Sequence, residues 1–380
     1  MKALLSTTPA FGHWLPLVPL GRALQAQGDD VAVVTGEVLR PAVEPEGFTL
    51  LPAGPGPEEI LLEVTRRTGE DAANNPTPAS VAEFFGAARP DLTADEAIAA
   101  GREFGAELLV HEATDFVGPL VAAALGIPSV ALAFGPEVPP EFTAAMVTAV
   151  ASRYTERGLP APTATPSGRL LLDTCPPLLQ FDTVSHDVER VGLRPEPHRA
   201  SADAPLPIAA EPTLSRPKVL CSFGTVFTDV AVLQPILAAL TELDIDLVVT
   251  LGLTAKPEHF TIDASRVEFT PFVPLAELLD GVSAVVSHGG AGTTLGTLAT
   301  GIPMVVIPQG ADQFLQADRV STAGAGLALP PGQSGPEAVA EALTRVLSEP
   351  SFRNRAEEIR IQTSTMPSAA EVATYLRKLS

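Results

Sequence analysis

Ser287-His288-Gly289-Gly290-Ala291-Gly292-Thr293-Thr294 is the stretch on which the fold turns. It follows Ala284–Ser287, an apolar run of strand length, and leads into a segment where Leu295 and Leu298 recur at helical spacing. A strand, a glycine-rich turn and a helix in that order make one βα unit of a parallel sheet. The turn then lies at the carboxyl end of the strand, where such sheets bind ligands. Glycines let the backbone come close to a ligand, and the helix start offers unpaired N–H groups and a partial positive charge. Thr293 and Thr294 add hydroxyl donors, and His288 adds an imidazole at the strand tip. The turn predicts a phosphate cradle. One helix end contributes only about 0.3–1 kcal/mol toward an anion, so several donors must converge.

The same alternation extends outward. Val219–Phe223, Asp246–Leu251, Arg266–Phe269 and Met304–Ile307 read as further strands of this sheet, with helical segments such as Val232–Leu243 and Leu275–Leu279 between them. Nearer the amino end, Ala3–Ser6, Asp30–Thr35, Leu108–His111 and Ser129–Phe134 read as a first parallel sheet. Leu17, Leu20 and Leu24 mark a helix between its first two strands, and Gly28 marks that helix's stop. Two such successions in 380 residues predict an α/β protein of two doubly wound domains, residues 1–205 and 217–365. Pro195–Pro217, rich in Pro, Ala and Ser, reads as an exposed linker. Residues 55–105, with Pro-Gly punctuation, Asn74-Asn75-Pro76 and the pair Phe84-Phe85, read as short helices over the open end of the first sheet.

Composition narrows the partners. The net charge is −21, with only four lysines (Lys2, Lys218, Lys256 and Lys378), a field that repels nucleic acid and anionic membrane surfaces. An anionic ligand must therefore be met locally, by backbone N–H groups and helix ends. No apolar stretch approaches the roughly 20 residues of a membrane span. Met1-Lys2-Ala3-Leu4-Leu5-Ser6 runs into a strand pattern, not a signal peptide. Cys175 and Cys221 have no metal-ligand spacing and make no disulfide framework, so a reduced, cytoplasmic protein is expected.

The glycine-rich turn has two rival readings. One is a turn of purely structural purpose. The other is a dinucleotide fingerprint: Gly290-Ala291-Gly292 supplies two glycines, and Asp312 follows after the next strand. The third glycine of that fingerprint is absent, because position 295 is leucine and Gly296 comes one step late. Asp312 also sits in Pro308-Gln309-Gly310-Ala311-Asp312-Gln313, where an adjacent acid and amide suit a polyhydroxylated sugar.

His288-Gly289-Gly290-Ala291-Gly292-Thr293-Thr294, Gly301-Ile302-Pro303, Pro308 through Gln313 and Ala317-Asp318-Arg319-Val320 together resemble the donor-binding box of the family 1 glycosyltransferases of GT-B fold. The resemblance is closest to the bacterial branch that decorates polyketides, macrolides and aromatic natural products, and it covers nearly the whole chain. Ser222-Phe223-Gly224-Thr225 resembles that family's loop at the start of the second domain, Phe272-Val273-Pro274 its base-reading segment, and Gly12-His13 its opening. The resemblance implies two Rossmann-like domains with parallel sheets facing across a cleft, and a C-terminal segment (366–380, with Ala369–Leu379) packing back on the first domain. It implies that His288, Gly290, Gly292, Thr293 and Thr225 bind the diphosphate, that Val273 contacts the base, and that Asp312 and Gln313 contact the sugar. The N-terminal half is shorter than in many relatives, so acceptor identity does not carry over; Phe84, Phe85 and Phe134 are the aromatic residues expected to face an acceptor.

His13, in Pro9-Ala10-Phe11-Gly12-His13-Trp14, follows the first strand and precedes a helix whose first turn holds Pro16. That places it at a strand's carboxyl end, where an imidazole can take a hydroxyl proton near neutral pH. An isolated loop histidine is ordinarily a surface residue; in the resembling enzymes it deprotonates the acceptor. A carboxylate would orient it. Glu112, fourteen residues before Gly126 of Gly126-Ile127-Pro128, falls where plant relatives carry their partner acid, and Asp115 is the alternative.

The expected activity is inverting, metal-independent hexosyl transfer from a UDP- or dTDP-sugar to a small apolar natural product. It needs no cofactor beyond the co-substrate, and the protein is expected as a monomer or homodimer. The competing possibilities are a non-catalytic partner of a transferase, or a nucleotide-sugar epimerase.

Overall fold

The computed structural model describes residues 1–73, 76–182, 188–210, 216–224, 229–252, 255–262 and 266–379. The chain divides into two compact units: Met1–Thr174 with Thr183–Leu193 and Pro367–Ser380, and Cys175–Asp182 with Arg194–Met366.

The first unit is built on seven parallel strands: β1 Lys2–Ser6, β2 Asp30–Thr35, β3 Thr49–Pro52, β4 Leu108–Glu112, β5 Ser129–Leu132, β6 Leu171–Asp173 and β7 Arg190–Gly192. Their order is β3-β2-β1-β4-β5-β6-β7. β4 is buried along its whole length, as a strand covered on both faces must be. The order reverses between β1 and β4, paired in the register Leu5 with Val110 and Ser6 with His111. The carboxyl ends of those two strands flank the crevice where a doubly wound sheet takes its ligand.

The second unit repeats the plan with β8 Lys218–Ser222, β9 Asp246–Thr250, β10 Val267–Thr270, β11 Ala284–Ser287, β12 Met304–Val306 and β13 Gly326–Ala328. The order is β10-β9-β8-β11-β12-β13, and its switch point lies between β8 and β11. β2, β11 and the helix Leu275–Leu279 match the sequence reading residue for residue. β3, β6, β7 and β13 escape it: each is short and, unlike Ala284–Val286 of β11 or Met304–Val306 of β12, holds no three consecutive apolar residues within its bounds.

Residues 55–105 correct another expectation. Helices Pro57–Thr68 and Pro78–Glu83 are followed by a π-helical turn, Phe84–Ala88, and a 16-residue helix, Arg89–Phe104. The last is not short and does not cap the sheet's open end. Ala97 and Ile98 pack with Leu4, Ala32, Val34 and Leu109 on one face of the sheet. Pro90 does not interrupt this helix, because it occupies the first helical turn, where no N–H is needed.

Residues 194–205 lie in the second unit. They are tied there by Ala276 N–H donating to His198 O at 3.0 Å. Farther along, Ile208 O accepts from Gly281 N at 2.8 Å and Ala210 N donates to Val282 O at 3.1 Å. The described part of Pro195–Pro217 is thus partly bound to this unit, where the sequence suggested an exposed linker. The helix Ala369–Leu376 belongs to the first unit. Its Val372, Ala373 and Leu376 are buried with Leu20 and Leu24 of the helix Val18–Ala26.

Candidate active site

At the carboxyl end of β1, the chain turns through Thr7–Ala10 into a four-residue helix, Phe11–Trp14. Trp14 anchors it: the ring is fully buried, donates from Nε1 to Ala42 O at 3.0 Å and packs edge-on against Phe48. His13, one residue earlier, stays about a quarter exposed. Its Nδ1 lies 3.0 Å from Oε1 of Glu112, the last residue of β4, which is completely buried.

Glu112 is satisfied on both oxygens. Oε1 also accepts from Thr8 Oγ1 at 2.8 Å and Thr8 N at 3.4 Å, and Oε2 accepts from Thr114 N at 2.6 Å and Thr114 Oγ1 at 2.7 Å. Burial alone raises this carboxyl. The charge of His13 and the hydrogen bonds from His13, Thr114 and Thr8 outweigh it and hold the group down at about 2. The carboxylate is therefore ionised at neutral pH, and it orients the imidazole through Nδ1. Neither Thr8 nor Thr114 carried a sequence signal.

Asp115, the alternative partner, is engaged elsewhere. Oδ2 accepts from Ser6 Oγ at 2.5 Å; Oδ1 accepts from Arg89 Nη1 at 2.5 Å, Val117 N at 2.8 Å and Gly118 N at 3.2 Å. It caps the start of the helix Val117–Leu125 and pairs with a buried arginine.

Phe134 and Phe85 stand by the histidine. The Phe134 ring is edge-on to it at 5.5 Å between centroids, and Phe85 is tilted at 6.0 Å. Phe84 packs on Phe85 at 4.8 Å, one ring farther out. All three are only half-buried, which leaves an aromatic wall beside the imidazole.

In the second unit, β11 ends at Ser287 and the helix Ala291–Leu298 starts after Gly290, with no side chain capping its first N–H groups. Gly292 is exposed and Thr293 half-buried at that open end. His288 is nearly buried, and burial drives its pKa down to about 4, against a small opposing effect of its contact with Ser222 O. The ring is neutral at working pH. A Cβ on Gly290 would lie 2.5 Å from His288 Nε2, so glycine is what lets this turn close over the imidazole.

The loop after β12 completes this cluster. Ala311 has φ +53, the one positive-φ residue other than glycine among the described residues, and such strain gathers at functional loops. Asp312 follows, half-buried, accepting from Gln316 Nε2 at 3.3 Å. Gln313 is buried, and its Oε1 accepts from Gln309 N at 2.8 Å and Gly310 N at 3.1 Å, so that oxygen braces the loop. Val273 is half-buried beside the exposed Phe272. Thr225 lies outside the described residues. Among the described residues, no three His, Cys, Asp or Glu side chains group to hold a metal, and no helix is long and apolar enough to cross a membrane.

Two doubly wound units with this architecture define a GT-B protein, and solved structures agree. The glycosyltransferase SnogD from Streptomyces nogalater superposes with a TM-score of 0.78 at 30% identity, covering 100% of this chain and 99% of its own. SsfS6 from Streptomyces sp. SF2575, complexed with thymidine diphosphate, gives 0.80 at 26% identity, covering 100% and 99%. Family models described as erythromycin biosynthesis protein CIII-like match at residues 22–216 (N-terminal domain) and 234–379 (C-terminal domain). The elloramycin glycosyltransferase ElmGT of Streptomyces olivaceus is 32% identical over 99% of this chain and 97% of its own. The 10-deoxymethynolide desosaminyltransferase of Streptomyces venezuelae is 29% identical over 100% and 97%. The chain belongs to the erythromycin biosynthesis protein CIII-like family, the GT-B glycosyltransferases of natural-product biosynthesis.

Proposed function

We propose that the protein transfers a sugar from a dTDP-sugar to a hydroxyl of an apolar, polyketide-type acceptor, with inversion and without a metal. The observation that carries the chemistry is the 3.0 Å contact between His13 Nδ1 and the buried Glu112 carboxylate. With Nδ1–H donated to Glu112, the Nε2 lone pair takes the acceptor proton. The acceptor oxygen bonds to the anomeric carbon as the bond to the diphosphate breaks, and that electron pair goes to the leaving phosphate oxygen. Attack opposite the departing group inverts the centre. dTDP is favoured over UDP because SsfS6 was solved with thymidine diphosphate. A polyketide-type acceptor suits the half-buried Phe85 and Phe134 and the names of the relatives.

The donor falls to the second unit. Open N–H groups at Ala291–Thr293, the Thr293 hydroxyl and His288 would hold the diphosphate without a cation. His288 Nδ1 lies 3.4 Å from both Ser222 O, which can only accept, and Ser287 Oγ, which can donate or accept. A phosphate accepting from Nε2–H selects the form in which Nδ1 accepts from Ser287. Asp312 would accept from sugar hydroxyls, and Gln313 would add its amide N–H. Gly290→Ala should weaken dTDP binding about tenfold, about 1.4 kcal/mol, because the new methyl displaces the imidazole. Calorimetry checks this; unchanged affinity would take Gly290 out of the cradle.

The deciding experiment incubates purified protein, alone and with EDTA, with dTDP-deoxysugars and polyketide aglycones under mass spectrometry. Product mass with inverted stereochemistry, undiminished by EDTA, is expected. Altered sugar without acceptor would make it an epimerase, and activity restored only by magnesium would end the metal-free reading.

A further inference from the structure

The mechanism above leaves one buried charge unused. Arg89 is 1% exposed and closes the π-helical turn Phe84–Ala88, its backbone N–H donating to Phe84 O. Its guanidinium makes two directed contacts: Nη1 to Asp115 Oδ1 at 2.5 Å and Nη2 to Thr7 O at 3.0 Å. Its Nε has no hydrogen-bond partner among the described residues, so the group is not placed there to satisfy itself fully. A cation this deeply buried needs a reason beyond stability, because apolar replacements of buried ion pairs are often neutral.

Thr7 O and Thr8 N belong to one peptide unit. The carbonyl receives Arg89 Nη2 and also Thr35 Oγ1, at 2.9 Å, while the N–H points at Glu112 Oε1. From the same residue, Thr8 Oγ1 donates to Glu112 Oε1, the oxygen that meets His13. The orientation of that peptide therefore sets the position of Glu112 and, through it, of the imidazole. Asp115 holds the other end of the guanidinium by its bonds to Ser6, Val117 and Gly118. Gly86 lets the π turn sit against the helix Pro140–Thr155, since a Cβ there would meet Met146 O at 2.4 Å. The turn that presents Phe84 and Phe85 is thus the turn that ends in Arg89, and π turns of this kind are frequent at functional sites.

We infer that Arg89 is a positioning residue for the transfer reaction: it clamps the Thr7–Thr8 peptide that orients Glu112 and His13, and couples that peptide to the aromatic segment Phe84-Phe85. The inference rests on the proposed role of His13 as base. Arg89→Lys keeps the charge opposite Asp115 but cannot hold both contacts in a planar fork. It should lower kcat about 5–10-fold for an alcohol acceptor, leaving dTDP affinity and the donor KM unchanged. In a His13→Ala background the same change should cost nothing further, because the peptide then has no base to orient. Thr35→Val, which removes only the second donor to Thr7 O, should show a smaller loss of about threefold that also vanishes without His13, and it decides the matter if Arg89→Lys fails to fold. Folded Arg89→Lys with full kcat, or losses equally large with and without His13, would overturn the inference. Unchanged kcat in His13→Ala itself would overturn the base assignment and this proposal with it, an outcome distinct from failure at Arg89 alone.

Discussion

His13→Ala is expected to slow transfer to an alkyl alcohol acceptor about 10²–10⁴-fold while dTDP affinity stays nearly unchanged. An alcohol is a poor nucleophile until its proton begins to leave, and the His13 ring stands beside Phe85 and Phe134, where an apolar acceptor would meet it. The groups proposed for the diphosphate are backbone N–H, hydroxyl and imidazole of the second unit, and the substitution touches none of them. A phenolic acceptor gives the sharper comparison. It ionises by itself as pH rises, so its penalty should shrink toward alkaline pH while the alkyl acceptor's persists. The measurement is kcat against pH for both acceptors in wild type and variant. An alkyl-acceptor kcat that survives the substitution at neutral pH would remove His13 from the mechanism.

Glu112→Gln should cost almost as much, about 10²–10³-fold in kcat, although the amide has nearly the same shape. An amide has one oxygen where the carboxylate has two, and five donors now converge on the group, two each from Thr8 and Thr114 and one from His13. Its NH2 then meets either Thr114 or His13 Nδ1, and in the second case it stabilises the tautomer that blocks Nε2. The acid limb of the rate profile should move to lower pH in the variant, because the anion that favours imidazolium is gone. Stability follows with a definite sign. The Glu112 carboxyl is held at about 2 against an ordinary 4.5, so its contribution is complete above 4.5 and is lost as pH falls toward 2. Wild type and variant should therefore differ most in denaturant midpoint at neutral pH and converge in that acid window. A constant difference from pH 7 to pH 2 would show that Glu112 does not carry it.

Both sheets were legible because long apolar strands alternate with helices of clear period, and the glycine-rich turn after β11 gave the ligand end of the second. Of the two acids put forward, one meets His13; both lie at or just beyond the end of β4, and their side chains point to different partners. Glu112 ends the strand beside the β1 loop, whereas Asp115 lies a turn later and reaches Ser6 and Arg89. Arg89 and the two threonines on Glu112 had no pattern to reveal them. A threonine in a loop is ordinary, and an arginine beside Pro90 reads as a surface residue until the helix is seen to run inward.

The helix Ala369–Leu376 has a consequence for how the protein is made. Its Val372, Ala373 and Leu376 complete a core otherwise drawn from residues before 194, and Arg377 then clasps Asp29 at 2.8 Å. The earlier residues of that core leave the ribosome first, and an apolar groove over the helix Val18–Ala26 stays uncovered while the 175 residues from Arg194 to Ser368 are added. At 5–20 residues per second that wait is roughly 10–35 s, ample time for a chaperone or a second nascent chain to reach the groove. A ribosome-bound chain halted before residue 367 should bind a hydrophobic reporter dye, and the full chain held on the ribosome by an added C-terminal linker should not. The earliest-made part of this enzyme is thus the last to close.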